Sequence, residues 1–153
     1  MMREGNVGTL VDPRYADTEY AASLKEYEEE GICPFCPAGL ERDKRVILNH
    51  ACGWFVTDSI RPYKDRLDTI VPVHALLIPD RHIVSPLELE VDDMMAIREL
   101  LRWVMTNKGI DSGAMNMRFG INAGSTVRHI HVHIISPNLD QTGSSVPVDF
   151  PIG

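Results

Sequence analysis

Residues 126–135 read Thr-Val-Arg-His-Ile-His-Val-His-Ile-Ile, with histidines at 129, 131 and 133 separated by branched aliphatics. No other stretch narrows the possible folds as strongly. Alternation of period two belongs to an extended strand, where successive side chains point to opposite faces. The expectation is a strand that sends Ile130, Val132 and Ile134 into a core and His129, His131 and His133 to the other face. Same-face neighbours lie roughly 6.5–7 Å apart on a strand. That is too far for the three to share one metal ion, and it suits distinct roles in one cleft. A lone histidine is more often packed or solvated than reactive. Three on one face, beside a Gly-Ser-Thr turn, reverse that expectation.

The rest of the chain supplies the partners for such a strand. Tyr20, Leu24 and Tyr27 recur at helical spacing from about residue 15 to 30, and Gly31 is placed to end that helix. Residues 33–39, Cys-Pro-Phe-Cys-Pro-Ala-Gly, form a tight turn with the shape of a metal knuckle. Short strands are expected at 46–48 and 54–57, joined by a turn over 49–53, and a buried strand at 75–78 ending at Pro79. Residues 59–73 read as a long polar loop. A second helix, 92–108, carries the stripe Met94, Ile97, Leu101, Val104 and Met105, with Asp92 and Asp93 in its first turn. Strands at 115–121 and 129–135, joined by a turn over 122–125, complete an α+β domain. Residues 1–14 read as a loose N-terminal arm, 15–137 as the domain, and 138–153 as a polar tail that is either flexible or draped over a site.

Composition limits the functions available. A net charge of -7 argues against a grip on DNA or RNA phosphates, which needs a basic surface, while leaving a small nucleotide open. Hydrophobic residues at 44% and charged residues at 24% describe an ordinary soluble domain. Three cysteines are too few for a disulfide scaffold, and the Cys33-x-x-Cys36 pair suggests metal or redox chemistry. The redox reading needs a thioredoxin-like βαβ context that this pattern lacks. Neither a secretory h-region nor a membrane-spanning run is visible, so the expectation is a cytoplasmic protein with no membrane partner.

The motif His129-Ile-His131-Val-His133-Ile-Ile resembles the signature of the histidine triad family at every position. Gly124-Ser-Thr-Val127 is similar to the Gly-Gln-Ser/Thr-Val that leads into it. Trp54-Phe-Val-Thr-Asp58 and His74-Ala-Leu-Leu-Ile-Pro-Asp-Arg-His82 are similar to the family's strand–loop–strand ending in Pro-Lys-x-His. Together these cover about residues 33–137. The resemblance implies a HIT-like fold, an antiparallel β-sheet with two main helices on one face. It also implies a hydrolase of nucleoside 5′-phosphate derivatives (phosphoramidate, adenylate or dinucleoside polyphosphate) acting through a nucleotidyl-histidine.

In that scheme His131 is the nucleophile, and His133 and His74 support it. Asn122, Ser125 and Thr126 donate to the phosphate. Asp58 meets the ribose hydroxyls, with a solvated strand-end cap as the alternative. One of Phe55 and Val56 packs on the base and the other enters the core. The family's zinc-bearing branches imply a closed structural zinc site from Cys33, Cys36, His82 and His129. The family as a whole implies a purine nucleotide ligand and a homodimer, which helix 92–108 could pair. Arg118 and Arg128 are candidates to face phosphate, with Arg128 alternating away from the triad. Ser125 stands where glutamine is common, the turn before His129 is short, and the 59–73 loop is long. Nucleotidyl transfer or phosphorolysis on the same site is the near rival, and a nucleotide-binding interaction protein with little turnover is a rival of another class.

Overall fold

In the computed structural model, which describes Gly8 and residues 10–152, a five-stranded antiparallel sheet organises the chain. Its strands are β1 Asn49–Ala51, β2 Trp54–Asp58, β3 Val73–Pro79, β4 Ala114–Asn116 and β5 Val132–Ser136, in the order β1-β2-β3-β5-β4. Helices α1 Thr18–Glu30, α2 Pro37–Arg42 and α3 Val91–Lys108 complete the α+β architecture.

Side-chain parity on the central strands divides the interior in two. Trp54 and Val56, Val73, Ala75 and Leu77, and Val132 and Ile134 face α3 and pack with its Ala96, Ile97, Leu100 and Val104. Phe55, Leu76 and Ile78 face the other way and pack with Cys33, Phe35 and Val127. The helices therefore do not share one face. The long helix α3 covers one side, while the segment carrying the Cys pair and α2 covers the other, with α1 packed on Val11 beyond it.

Local chemistry explains the helix ends. The Asp17 side chain accepts from the Tyr20 N–H at 2.8 Å to start α1, and Gly31, at φ 68°, ends it in the left-handed region. The Asp93 carboxylate accepts from the Glu90 N–H at 2.7 Å, from the Trp54 indole at 2.8 Å and from Arg81, tying the start of α3 to β2.

Several boundaries differ from the sequence expectation. The strand expected at 46–48 lies at Asn49–Ala51, because Cys52 and Gly53, both at positive φ, make the two-residue turn that sets the register Ala51↔Trp54. The strands expected over 115–121 and 129–135 are shorter. Only Val132–Ser136 finds β3 on one side and β4 on the other. Residues 127–130 bond elsewhere: Val127 bridges Val11, the Arg128 N–H donates to Leu10 O, and the Ile130 N–H donates to Ile83 O. For the same reason residues 10–14 are not a loose arm. Val11 and Asp12 are buried, and Asp12 pairs with Arg14 and Arg128. Residues 1–7 and 9 lie outside the described residues. Arg128 does alternate away from the triad, but it ends on Asp12 rather than in solvent.

Candidate active site and metal centre

Although only His133 sits in the ladder of β5, the alternation persists. Ile130, Val132 and Ile134 enter the core beneath α3, and the three histidines lie on the opposite side. The rings of His131 and His133 are 4.9 Å apart, and His129 reaches away to the Cys pair.

The Nδ1 of His131 lies 2.8 Å from the carbonyl oxygen of His129. A carbonyl only accepts, so Nδ1 carries the proton and Nε2 keeps its lone pair. The ring lines a cavity of about 420 Å³ formed with Phe35, His74, Arg118, Thr126 and His133, and an adjoining one of about 570 Å³. Burial lowers the His131 pKa to about 4, so the imidazole is neutral at pH 7.

A relay fixes His133. The backbone N–H of Tyr63 donates to His74 Nδ1 at 3.1 Å, and His74 Nε2 lies 2.9 Å from His133 Nδ1. With His74 Nδ1 accepting, its Nε2–H is the donor to His133, whose own proton is then on Nε2. That nitrogen is 3.4 Å from Arg118 NH1. Arginine has no acceptor, so with the His133 proton on Nε2 both groups are N–H donors, and together they suit an anionic oxygen lying beside them. Burial pushes the His74 pKa down to about 4 and holds His133 well below its ordinary value, with His131, His74 and Arg118 adding to the latter. Arg118 also donates to the Tyr63 hydroxyl and to Pro151 O, and it lies over the Phe150 ring at 3.9 Å. The tail therefore drapes over the site.

Four donors gather beside the triad. Those of Cys33, Cys36, His82 and His129 all lie within 4.8 Å of one another. Each cysteine Sγ faces a histidine Nδ1, Cys33 to His129 at 3.5 Å, Cys36 to His82 at 3.5 Å and Cys36 to His129 at 3.7 Å. Zn–S near 2.3 Å and Zn–N near 2.05 Å in a tetrahedron place sulfur and nitrogen about 3.5 Å apart. The set therefore fits zinc. His129 Nε2 donates to Pro79 O at 2.7 Å, which fixes the tautomer with Nδ1 as the ligand atom. Burial holds the Cys33 thiol well above its ordinary value, and a divalent cation is the partner that reverses such a shift. Gly39 closes the knuckle, because a Cβ there would fall 2.2 Å from Cys33 O and 2.6 Å from Pro34 Cα.

The residues anticipated from sequence divide clearly. His131, His133, His74 and Thr126 share the cavity, while Ser125 lines the adjoining one and donates its hydroxyl to Val127 O at 2.9 Å. Asn122 lies outside both, beside Phe150 and Ile152. Asp58 does not reach the cavity. It shares parity with Trp54 and Val56, lies toward α3, and pairs with Lys108 at 2.9 Å. Phe55 is on the site side and Val56 in the core beneath α3. Sequence reasoning missed Tyr63, Arg45 and Phe150. An aromatic in a polar loop, as Tyr63 is, was the one available hint.

Residues 33–148 match the family model described as "Scavenger mRNA decapping enzyme C-term binding". Over 70 residues, 43% of this chain, it is 36% identical to 44% of an adenosine 5′-monophosphoramidase of Danio rerio. Over 74 residues, 45% of the chain, it is 32% identical to 40% of an asymmetrical bis(5′-nucleosyl)-tetraphosphatase of Schizosaccharomyces pombe. The chain spans between 40% and 65% of the length of four curated relatives it matches. A HIT family hydrolase from Clostridium thermocellum shares the fold, with a TM-score of 0.51, 22% identity, and coverage of 67% of this chain and 88% of that one.

Proposed function

The chain belongs to the histidine triad family, and from that footing we propose that it is a nucleotide hydrolase working through a nucleotidyl adduct on His131. The observation that carries this reading is the 2.8 Å contact from His131 Nδ1 to the His129 carbonyl, which leaves Nε2 as a neutral nucleophile facing the cavity. Nε2 attacks the α-phosphorus, the P–N bond forms, and the bond to the leaving group breaks. Water then cleaves the P–N bond, releases the nucleotide and restores neutral His131. The Nε2–H of His133 and the guanidinium of Arg118 converge on one α-phosphate oxygen and stabilise the charge that develops there. The Thr126 hydroxyl is a further donor at the cavity wall. The activities named for the two curated relatives, a phosphoramidase and a tetraphosphatase, support hydrolysis at a nucleotide phosphate.

Zinc on Cys33, Cys36, His82 and His129 is structural in this reading. Cys33, Cys36, His82 and His129 would hold the ion with four protein donors, and its chemistry there would be a structural tie between the knuckle and the segment that carries His131. The exposed Val91, Met94 and Met95 of α3 support pairing of two copies.

The test is direct. Incubation with a nucleoside 5′-phosphoramidate or a dinucleoside polyphosphate should release nucleotide, and rapid acid quench should trap a mass adduct on the peptide containing His131. The variant His131→Ala should lose turnover by about 10⁴-fold or more, as removal of a covalent nucleophile does. Undiminished turnover in that variant, or an adduct on another residue, would sink the mechanism. Elemental analysis should find about one zinc per chain, lost in Cys33→Ser.

A further inference from the structure

The cavity beside His131 is more cationic than a single α-phosphate requires. Besides Arg118, its wall includes Arg45 and Arg61. Arg45 has a side chain only 5% exposed, lies 5.1 Å from the centroid of Phe35, and has a buried Nε with no hydrogen-bond partner. Its NH1 makes only a 3.4 Å contact with Asp58 O, and the nearest carboxylate, Asp43, is 4.0 Å from its Nε. Arg61 lies over the Tyr20 ring at 3.9 Å and forms no ion pair among the described residues. Asp17 is the one carboxylate in the described wall, and it is occupied in capping α1. Three guanidinium groups thus face one carboxylate, in a chain whose net charge is -7.

An arginine buried without its hydrogen bonds is costly unless something completes them. Stacking on Phe35 steadies Arg45 but does not satisfy its N–H donors, while Arg61, exposed over the Tyr20 ring, brings a second positive charge to the same wall. The acceptors that suit the buried Arg45 donor are oxygens of an anion, and the Arg61 charge favours the same ligand.

We propose that Arg45 and Arg61 form a second anionic subsite beside His131 that holds substrate phosphates beyond the α-phosphate. The substrate class is then a polyphosphate-bridged nucleotide rather than a phosphoramidate with an amine leaving group. This rests on the nucleotidyl-histidine reading. As the His131 Nε2–P bond forms, the bond from the α-phosphorus to its bridging oxygen breaks, and the electron pair stays on the departing phosphate. The two guanidinium groups balance the charge gained there. Water then cleaves the P–N bond, its oxygen joining phosphorus and its protons passing to the released nucleotide and solvent.

The experiment compares kcat/KM for diadenosine tetraphosphate and adenosine 5′-phosphoramidate in the full chain and in Arg45→Gln and Arg61→Gln. Each variant should lower the tetraphosphate-to-phosphoramidate ratio by about tenfold, the loss of one charge-assisted contact. Calorimetry with inorganic tripolyphosphate should show a similar weakening in each variant and a further one from 50 to 200 mM salt. Arg61 is exposed, so its variant decides the matter should Arg45→Gln fail to fold. A ratio that stays within twofold in Arg61→Gln overturns the subsite even where both substrates are turned over through His131. Absence of His131-dependent turnover of either substrate, with tripolyphosphate still weakened by Arg61→Gln, overturns the hydrolase reading and keeps the anion site.

Discussion

His74 Nε2 lies 2.9 Å from His133 Nδ1 across a sequence separation of 59 residues. The Tyr63 N–H fixes the proton on His74, His74 fixes the proton on His133, and His133 then presents N–H beside Arg118. A neutral histidine pair held in one tautomer is a preorganised donor, which costs no reorganisation at the moment of reaction.

Removing His74 should therefore show in kcat. His74→Phe keeps an aromatic ring against Tyr63 but frees the His133 proton to move to Nδ1, which lets Arg118 bond Nε2 and withdraws the His133 N–H from the phosphate oxygen. A fall in kcat of about tenfold, with KM within threefold, is expected from steady-state kinetics. An unaltered kcat would show that the His133 tautomer does not matter.

Gly39 should prove intolerant for a steric reason. A Cβ there meets backbone atoms of Cys33 and Pro34, which cannot swing aside. Gly39→Ala should lower zinc content below half of one per chain and cost about 2 kcal/mol or more, as overpacking does. Gly31→Ala, which meets nothing within 4 Å but has φ at 68°, should cost about 1 kcal/mol and leave the zinc in place. Elemental analysis and urea melts of the two variants check this.

Asp93 should give the protein an acid-sensitive anchor. Hydrogen bonds from Arg81, and then from Trp54 and the Glu90 N–H, hold its carboxyl well below the usual carboxylate range. Its contribution is therefore fully present above an unfolded pKa near 4 and is lost as pH falls below it. Asp93→Asn should cost about 2 kcal/mol at pH 7, on the scale of hydrogen bonds to a charged group. The gap between variant and wild type should narrow by pH 3, measured by denaturant unfolding at both values. A gap that widens on acidification would reverse the sign and refute the assignment.

Asp58→Asn should matter little. Its carboxylate is 53% exposed and pairs with Lys108 on the side of the sheet away from the triad. An exposed pair contributes about 1 kcal/mol at most. KM for any nucleotide substrate should stay within twofold. A rise of tenfold would show that the carboxylate turns to the ribose when substrate binds.

The sequence by itself determined what local periodicity can encode. Alternation through Ile130, Val132 and Ile134 assigned the histidines to one side, helical spacing marked α3 although its Met94 and Met105 are exposed rather than packed, and the Cys33-x-x-Cys36 knuckle pointed to a cluster with His82 and His129 that could hold a metal ion. Tertiary structure alone decided which residues meet across long separations. Parity says that Trp54, Val56 and Asp58 share a side, but only the packing of α3 shows that this side is remote from the triad. Nothing periodic marks Tyr63, Arg118 or Phe150, because loop and tail residues lack the repeating burial that leaves a pattern, and their roles arise from hydrogen bonds and ring contacts with partners up to 87 residues away from Tyr63 along the chain, 150 − 63. A strand's pattern records which of its faces avoids water, whereas a site is made by whatever the folded chain brings to the other face.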